Sequence, residues 1–298
     1  MSNTTHCGYA ALVGAPNAGK STLMNAILGT KISIVSRKAQ TTRSRMIGIH
    51  VHDNAQFIFV DTPGLFNPNK QFERAMVSSI WAGFDDADII ILLFDANKNK
   101  IDESTRQILE ALKTTNKKAY LVLNKIDTIK KEKLLNLATE FSNLHDFDHI
   151  FMISALKESG LDGLLAQLSK DMPEGPFLYP EDQITDIPEK LFAAETTREK
   201  IFNHLHDEIP YSTTVETDSL EDFKDGSLRV VQTIFVHNDR HKGIIVGKGG
   251  ATIKKIGELA RRDLEEILEK KVHINLFVKT KKNWQSDAEH YESLGLDF

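Results

Sequence analysis

Gly14-Ala15-Pro16-Asn17-Ala18-Gly19-Lys20-Ser21 is the stretch that decides how the chain is read. It has the spacing G-x-x-x-x-G-K-S. The glycines let the backbone curl so that successive N–H groups face phosphate oxygens, where a side chain would block the approach. An apolar run, residues 9–13, precedes the stretch and an amphipathic one, residues 21–28, follows it. It therefore reads as the turn between a strand and a helix that begins at Lys20 and adds the positive end of its dipole. Lys20 is expected to reach the β and γ phosphates of a nucleotide, and the Ser21 hydroxyl to ligate Mg²⁺. A chance match in a chain of this length has odds on the order of one in a hundred.

Outward from that turn, short apolar runs at 46–52, 56–61, 89–95, 119–124 and 150–154 alternate with helical patterns at 102–112, 131–144 and 161–168. The alternation predicts an α/β domain with a mostly parallel, doubly wound sheet, whose ligands sit at the carboxyl ends of the strands. Three more motifs fall at such ends. Asp61-Thr62-Pro63-Gly64 offers a carboxylate behind the Mg²⁺ and a Gly64 amide for the γ-phosphate. Asn124-Lys125-Ile126-Asp127 and Ser154-Ala155-Leu156 lie where a base would be. The Asp127 carboxylate can accept from both N1–H and the exocyclic amino group of guanine. Adenine offers an acceptor there instead, a mismatch that can be worth about 10⁴ in discrimination. Between the first two motifs, Gln40-Thr41-Thr42-Arg43 supplies a threonine hydroxyl to complete the Mg²⁺ shell, with Thr42 favoured over Thr41.

Leu65 follows Gly64, where Ras-type enzymes carry a glutamine that orients the attacking water. Hydrolysis is therefore expected to be slow and to rest on Lys20, Thr42, Gly64 and another charge. Asn17 offers an oxygen near the β/γ bridge that could help hold a monovalent cation such as K⁺.

The 298 residues carry 37 basic and 42 acidic side chains, so net charge announces no nucleic-acid partner. One cysteine, Cys7, and no basic-then-apolar pattern in residues 1–6 predict a reducing, cytoplasmic setting. Four of the eight prolines, at 173, 176, 180 and 188, mark a boundary. Expected divisions are 1–172 for the nucleotide domain, 173–188 for a linker, 189–285 for a second domain and 286–298 for a tail. The second domain reads helix (188–206), strands (213–217, 228–237), glycine loop, helix (251–269) and strand (272–278).

Residues 240–282 hold twelve Lys and Arg against five Asp and Glu, around Gly247-Lys248-Gly249-Gly250. A G-x-x-G loop of this kind packs against the backbone of single-stranded nucleic acid in KH modules. Lys248 would meet phosphates, and Ile244, Ile245 and Val246 would floor the groove under bases. Lys254, Arg261, Lys279 and Lys281 would add salt-sensitive contacts. The order of elements suits an α+β, type II KH arrangement.

GAPNAGKS, QTTR, DTPG, NKID and SAL in sequence, then VGKGG and the segment Val278-Lys279-Thr280-Lys281-Lys282-Asn283-Trp284, resemble the bacterial Era-type GTPases over essentially the whole chain. The resemblance implies GTP and GDP binding, recognition of the 3′ end of 16S ribosomal RNA, a role in 30S subunit assembly, peripheral association with the inner membrane and a monomeric protein. Two other readings stay open: a tRNA-modification or tandem-domain GTPase, and a constitutive RNA-binding protein whose nucleotide domain does not hydrolyse.

Overall fold

The computed structural model describes residues 4–284 apart from 37, 39–41, 44, 66, 67, 69, 70, 99, 207 and 283. The chain divides into two compact units, Met1–Ser33 with Thr42–Asp186, and Ile34–Thr41 with Ile187–Phe298. The expected tail, 286–298, lies outside the described residues, as do Gln40, Thr41 and Asn283.

In the first unit, β1 (His6–Val13), β2 (Met46–His52), β3 (Ala55–Asp61), β4 (Ile89–Asp95), β5 (Lys118–Asn124) and β6 (His149–Met152) form one sheet in the order β2-β3-β1-β4-β5-β6. Every neighbouring pair is parallel except β2 with β3. The residues of β3 are all buried, and those of β4 nearly so, as continuous apolar strands covered on both faces must be. Helices α1 (Lys20–Leu28), α2 (Gln71–Asp86), α3 (Glu103–Leu112), α4 (Lys131–Ser142) and α5 (Leu161–Asp171) alternate with the strands. The chain leaves β1 towards β3 on one side and returns to β4 on the other. That reversal opens a crevice at the strands' carboxyl ends, where the motifs lie.

Sequence reading assigns no helix or strand between residues 61 and 89, yet α2 fills most of that interval. Its Phe72, Met76, Ile80 and Phe84 recur every fourth residue and are all buried. Their spacing is helical, but β-branched and aromatic residues within it blunt the helix signal. The proline-bearing segment read as a linker runs along the first unit as far as Asp186. Ile49 N donates to Ile184 O (2.8 Å), and Thr185 Oγ1 to Ile47 O (2.7 Å). The Gln56 amide holds the backbone of Leu178 and Tyr179. Ile184 and Thr185 thus cover the free edge of β2.

The second unit has α6 (Glu189–His204), β7 (Thr213–Asp222), β8 (Leu228–Val236), α7 (Asp239–Val246), α8 (Ala251–Leu268) and β9 (Val272–Thr280). Its sheet runs β7-β8-β9, with β7 antiparallel and β9 parallel to β8. Ile201, Ile234, Val236, Ile245 and Ile256 meet in its core. Helix α7 is absent from the sequence reading. Asn238 caps it by accepting from His241 N (2.9 Å), and the run Ile244-Ile245-Val246 forms its last turn. No helix of the described residues is long and apolar enough to cross a membrane.

At the amino end of the first sheet, Asp171 of α5 ties β5 and β6 together. It accepts from Lys118, Tyr120 and Gln167, and pairs with His149 (3.3 Å). Burial alone would raise its carboxyl, but those donors outweigh it and hold the group well below the usual carboxylate range. A depressed carboxyl adds stability that is present above the unfolded-state pKa and lost as pH falls below it. Asp171→Asn should therefore lower the unfolding free energy at pH 7 by about 1 to 2 kcal/mol in urea titrations. The gap should narrow as pH falls below about 4.

Candidate nucleotide pocket and nucleic-acid groove

β1 ends at Val13, and the chain turns through Gly14, Ala15, Pro16, Asn17 and Ala18 into α1. Asn17 is exposed and left-handed (φ 63°), a shape that an Asx residue tolerates. Gly19 is also left-handed (φ 102°), and a Cβ there would lie 2.2 Å from Asn124 Nδ2. The Lys20 side chain is buried, and its Nζ donates to the carbonyls of Gly14 (3.0 Å) and Ala15 (3.3 Å). Burial pushes its ammonium down to about 8, although Asp61 pulls the other way.

Behind Lys20, Ser21, Thr42 and Asp61 converge. Ser21 Oγ donates to Asp61 Oδ2 (2.6 Å) and lies 3.1 Å from Thr42 Oγ1. Asp61 is wholly buried, and burial raises its carboxyl. Its Oδ1 has no hydrogen-bond partner. Two hydroxyls and one carboxylate with an unsatisfied oxygen suit Mg²⁺, which takes few protein ligands and completes its shell with phosphate and water. Among the described residues no cluster of three or more His, Cys, Asp or Glu competes for a metal.

Thr62 Oγ1 donates to Leu12 O (2.9 Å), holding the next loop to β1. Gly64 presses on the phosphate loop so closely that a Cβ would fall 2.7 Å from Pro16. Pro63 carries the chain into that contact. Leu65 donates its N–H to Gly14 O (3.3 Å) and buries its side chain in the core, so it presents no polar group to a water.

The base loops meet at Asn124. Its Nδ2 donates to Ala18 O (2.9 Å), while Oδ1 accepts from Ala155 N (3.0 Å) and Lys125 N (2.8 Å). Lys125 spans Asn17 O (2.8 Å) and Asp95 Oδ2 (2.7 Å). Asp95 ends β4 on this same edge, and sequence reading passed it over because it belongs to no motif. Ile126 N donates to Ile153 O, and Asp127 opens outward with its Oδ1 accepting from the buried Ser154 (2.6 Å). Leu156 is 74% exposed beside them. The structure thus gathers every described residue of the four motifs at one sheet edge.

In the second unit, Gly247, Gly249 and Gly250 all take positive φ between α7 and α8, with Lys248 exposed among them. A groove of about 820 Å³ runs between α8 and β9, lined by Ile253, Lys254, Gly257, Arg261, Ile274 and Leu276. Ile244 is 40% exposed and Val246 half-buried, but Ile245 is wholly buried against the core. Ile245 therefore does not floor the groove, because a helical turn sends neighbouring residues to different faces. Lys279 and Lys281 do not join Lys254 and Arg261 either. On β9, Ile274, Leu276 and Val278 face the helices, which places Lys279 on the opposite face. Lys281 stacks its ammonium 5.7 Å from the Phe235 ring.

Residues 9–125 match a family described as a 50S ribosome-binding GTPase, and residues 208–285 match the KH domain. The chain is 50% identical over 298 residues to the GTPase Era of Afipia carboxidovorans, covering all of this chain and 96% of that one. It is 50% identical to the GTPase Era of Bradyrhizobium diazoefficiens, over 99% and 95% of the two chains. A variant of Aquifex aeolicus Era bound to GDP and tetrafluoroaluminate superposes with a TM-score of 0.93 at 38% identity, over 98% and 99% of the chains. Era in complex with MgGDPNP and nucleotides 1506–1542 of 16S ribosomal RNA gives the same score at 39% identity, over 98% and 99% of the chains.

Replacing one Asp127 oxygen by an amide tests the base assignment. Asp127→Asn should weaken GTP binding at least about 100-fold in calorimetry and favour xanthosine triphosphate, whose carbonyl faces the new donor.

Proposed function

The chain belongs to the Era family of GTPases, a nucleotide domain followed by a KH domain, and from that membership we propose a switch that couples GTP hydrolysis to a grip on the 3′ end of 16S ribosomal RNA during 30S subunit assembly. The observation that carries this reading is the Asp127 carboxylate, braced by Ser154 on the same sheet edge as Lys20, in a chain whose second unit presents a glycine loop and a groove bearing Lys254 and Arg261. The structural neighbour bound to both MgGDPNP and a 16S fragment supports the same pairing of ligands. On this reading the protein is cytoplasmic and monomeric, with peripheral contact at the inner membrane, and residues 1–172 and 189–285 are its working domains.

Each motif residue has a task. Loop amides from Ala15 to Ser21 cradle the phosphates, Lys20 neutralises their charge, and the Gly64 amide senses the γ-phosphate. Ser21 and Thr42 would hold Mg²⁺, with Asp61 behind them, and the ion would stabilise charge on the β and γ oxygens. Asn124 fixes the base loop, and Ala155 and Leu156 bound the base. Leu65 itself offers the attacking water no side-chain partner, so charge placement must do more to break the bond, which supports a K⁺ held near Asn17. Single-turnover hydrolysis should then be faster in K⁺ than in Na⁺, and equal rates would remove Asn17 from the mechanism.

The described residues of Ile34–Thr41 belong with the second unit. Val35 N donates to Glu199 Oε1 of α6 (2.9 Å), and Lys38 donates to the carbonyls of Phe202 and Leu205. The next described residue, Thr42, lies beside Ser21. A nucleotide that orders Thr42 therefore acts where the chain passes from the second unit back to the first. Titrating an RNA with a single-stranded 3′ end against the GDP form and against the form bound to a non-hydrolysable GTP analogue should give different affinities. Identical affinities would exclude coupling, because a ligand without preference between two states shifts neither.

A further inference from the structure

Asn25, in the second turn of α1, turns its amide towards the loop that follows the helix. Its Oδ1 accepts from Ile32 N (3.0 Å) and Ser33 N (2.9 Å), and its Nδ2 donates to Ser33 O (2.7 Å). Three bonds from one side chain, two of them to Ser33, fix the backbone of Ile32 and Ser33 to the helix that carries Lys20 and Ser21. Ser33 itself is wholly buried, and its hydroxyl donates to Asp61 Oδ2 at 2.7 Å. Ser21 donates to that same oxygen. Two donors on Oδ2 set the carboxylate plane and leave Oδ1 as its one unsatisfied oxygen.

We propose that Ser33 is a positioning residue for the Mg²⁺ site and that Asn25 is the staple that fixes it. Ser33 touches neither phosphate nor metal in this role. It sets the direction of the Asp61 carboxylate, which in turn directs the Ser21 hydroxyl. A donor of this kind tunes a metal site by orienting the groups that face the ion, and its removal typically costs about 10 to 100-fold in metal affinity. A second observation agrees with the placement. Ser33 is the last residue of the first unit before the segment that groups with the second. The staple therefore keeps Ser33 in register with Asp61 whichever way the chain beyond Ile34 is disposed. The inference rests on the Mg²⁺ reading of Ser21, Thr42 and Asp61.

The test is the Mg²⁺ dependence of fluorescent GDP release from the full chain. With Ser33→Ala, the Mg²⁺ concentration that gives half-maximal slowing of release should rise about tenfold or more. Release in excess EDTA should match the wild type, because the nucleotide's own contacts are intact. Ser33→Thr keeps the donor and should restore the midpoint. Asn25→Ala keeps the hydroxyl but frees its backbone, and should shift the midpoint in the same direction by less. It carries the test if Ser33→Ala does not fold. An unchanged midpoint in both alanine variants would overturn the proposal, leaving Ser33 a merely satisfied buried hydroxyl. Equal acceleration with and without Mg²⁺ would overturn it as well, since that marks general loosening of the pocket. If wild-type release ignored Mg²⁺ altogether, the metal assignment would fall first and Ser33 with it. If the wild type bound no GDP, the nucleotide reading itself would be the one at fault.

Discussion

One carboxamide holds the nucleotide pocket in shape. Asn124 donates to the phosphate loop at Ala18 and accepts from the second base loop at Ala155, while its own backbone ends β5. Three segments far apart in sequence thereby share one rigid junction. Each bond is worth only about 1 kcal/mol net, so the value lies in geometry more than in stability. The junction is also why Gly19 tolerates no side chain: the space a Cβ would take is occupied by Asn124 Nδ2. Phosphate grip and base grip are consequently set by the same contact, and neither can shift without the other.

The two ligand surfaces rely on opposite electrostatics. Lys20 and Asp61 act from inside the protein, where charge is little screened and burial moves both groups away from their ordinary values. Lys248, Lys254 and Arg261 act from solvent, where each is worth little alone and salt weakens all of them together. Nucleotide recognition is thus built for discrimination between chemically close ligands, and the groove for reversible hold on a long polyanion.

Much of this was legible in the chain. Motif residues were readable because phosphate and base chemistry demand fixed types at fixed spacing, and strands at 56–61 and 89–95 because burial on both faces leaves nearly unbroken apolar runs. What escaped was decided by tertiary context. Helix α2 has a four-residue repeat that beta-prone residues disguise, and α7 hides its apolar end in a run that looks like a strand. Ile245 was misplaced for that reason. Lys279 and Lys281 lie away from the groove that holds Lys254 and Arg261, a difference charge counting does not reveal because it ignores the two-residue alternation along β9. Asn25, Ser33 and Asp95 support the site from outside every motif, so nothing in spacing announces them.

Lys20 does more than await a ligand's charge. By donating to Gly14 and Ala15, its ammonium is already solvated by peptide oxygens. Two of its three N–H donors are spent on the loop, so the third has a fixed direction rather than a free swing. The loop's own carbonyls thereby aim the cation in advance, and little side-chain freedom is left to lose when an anion arrives.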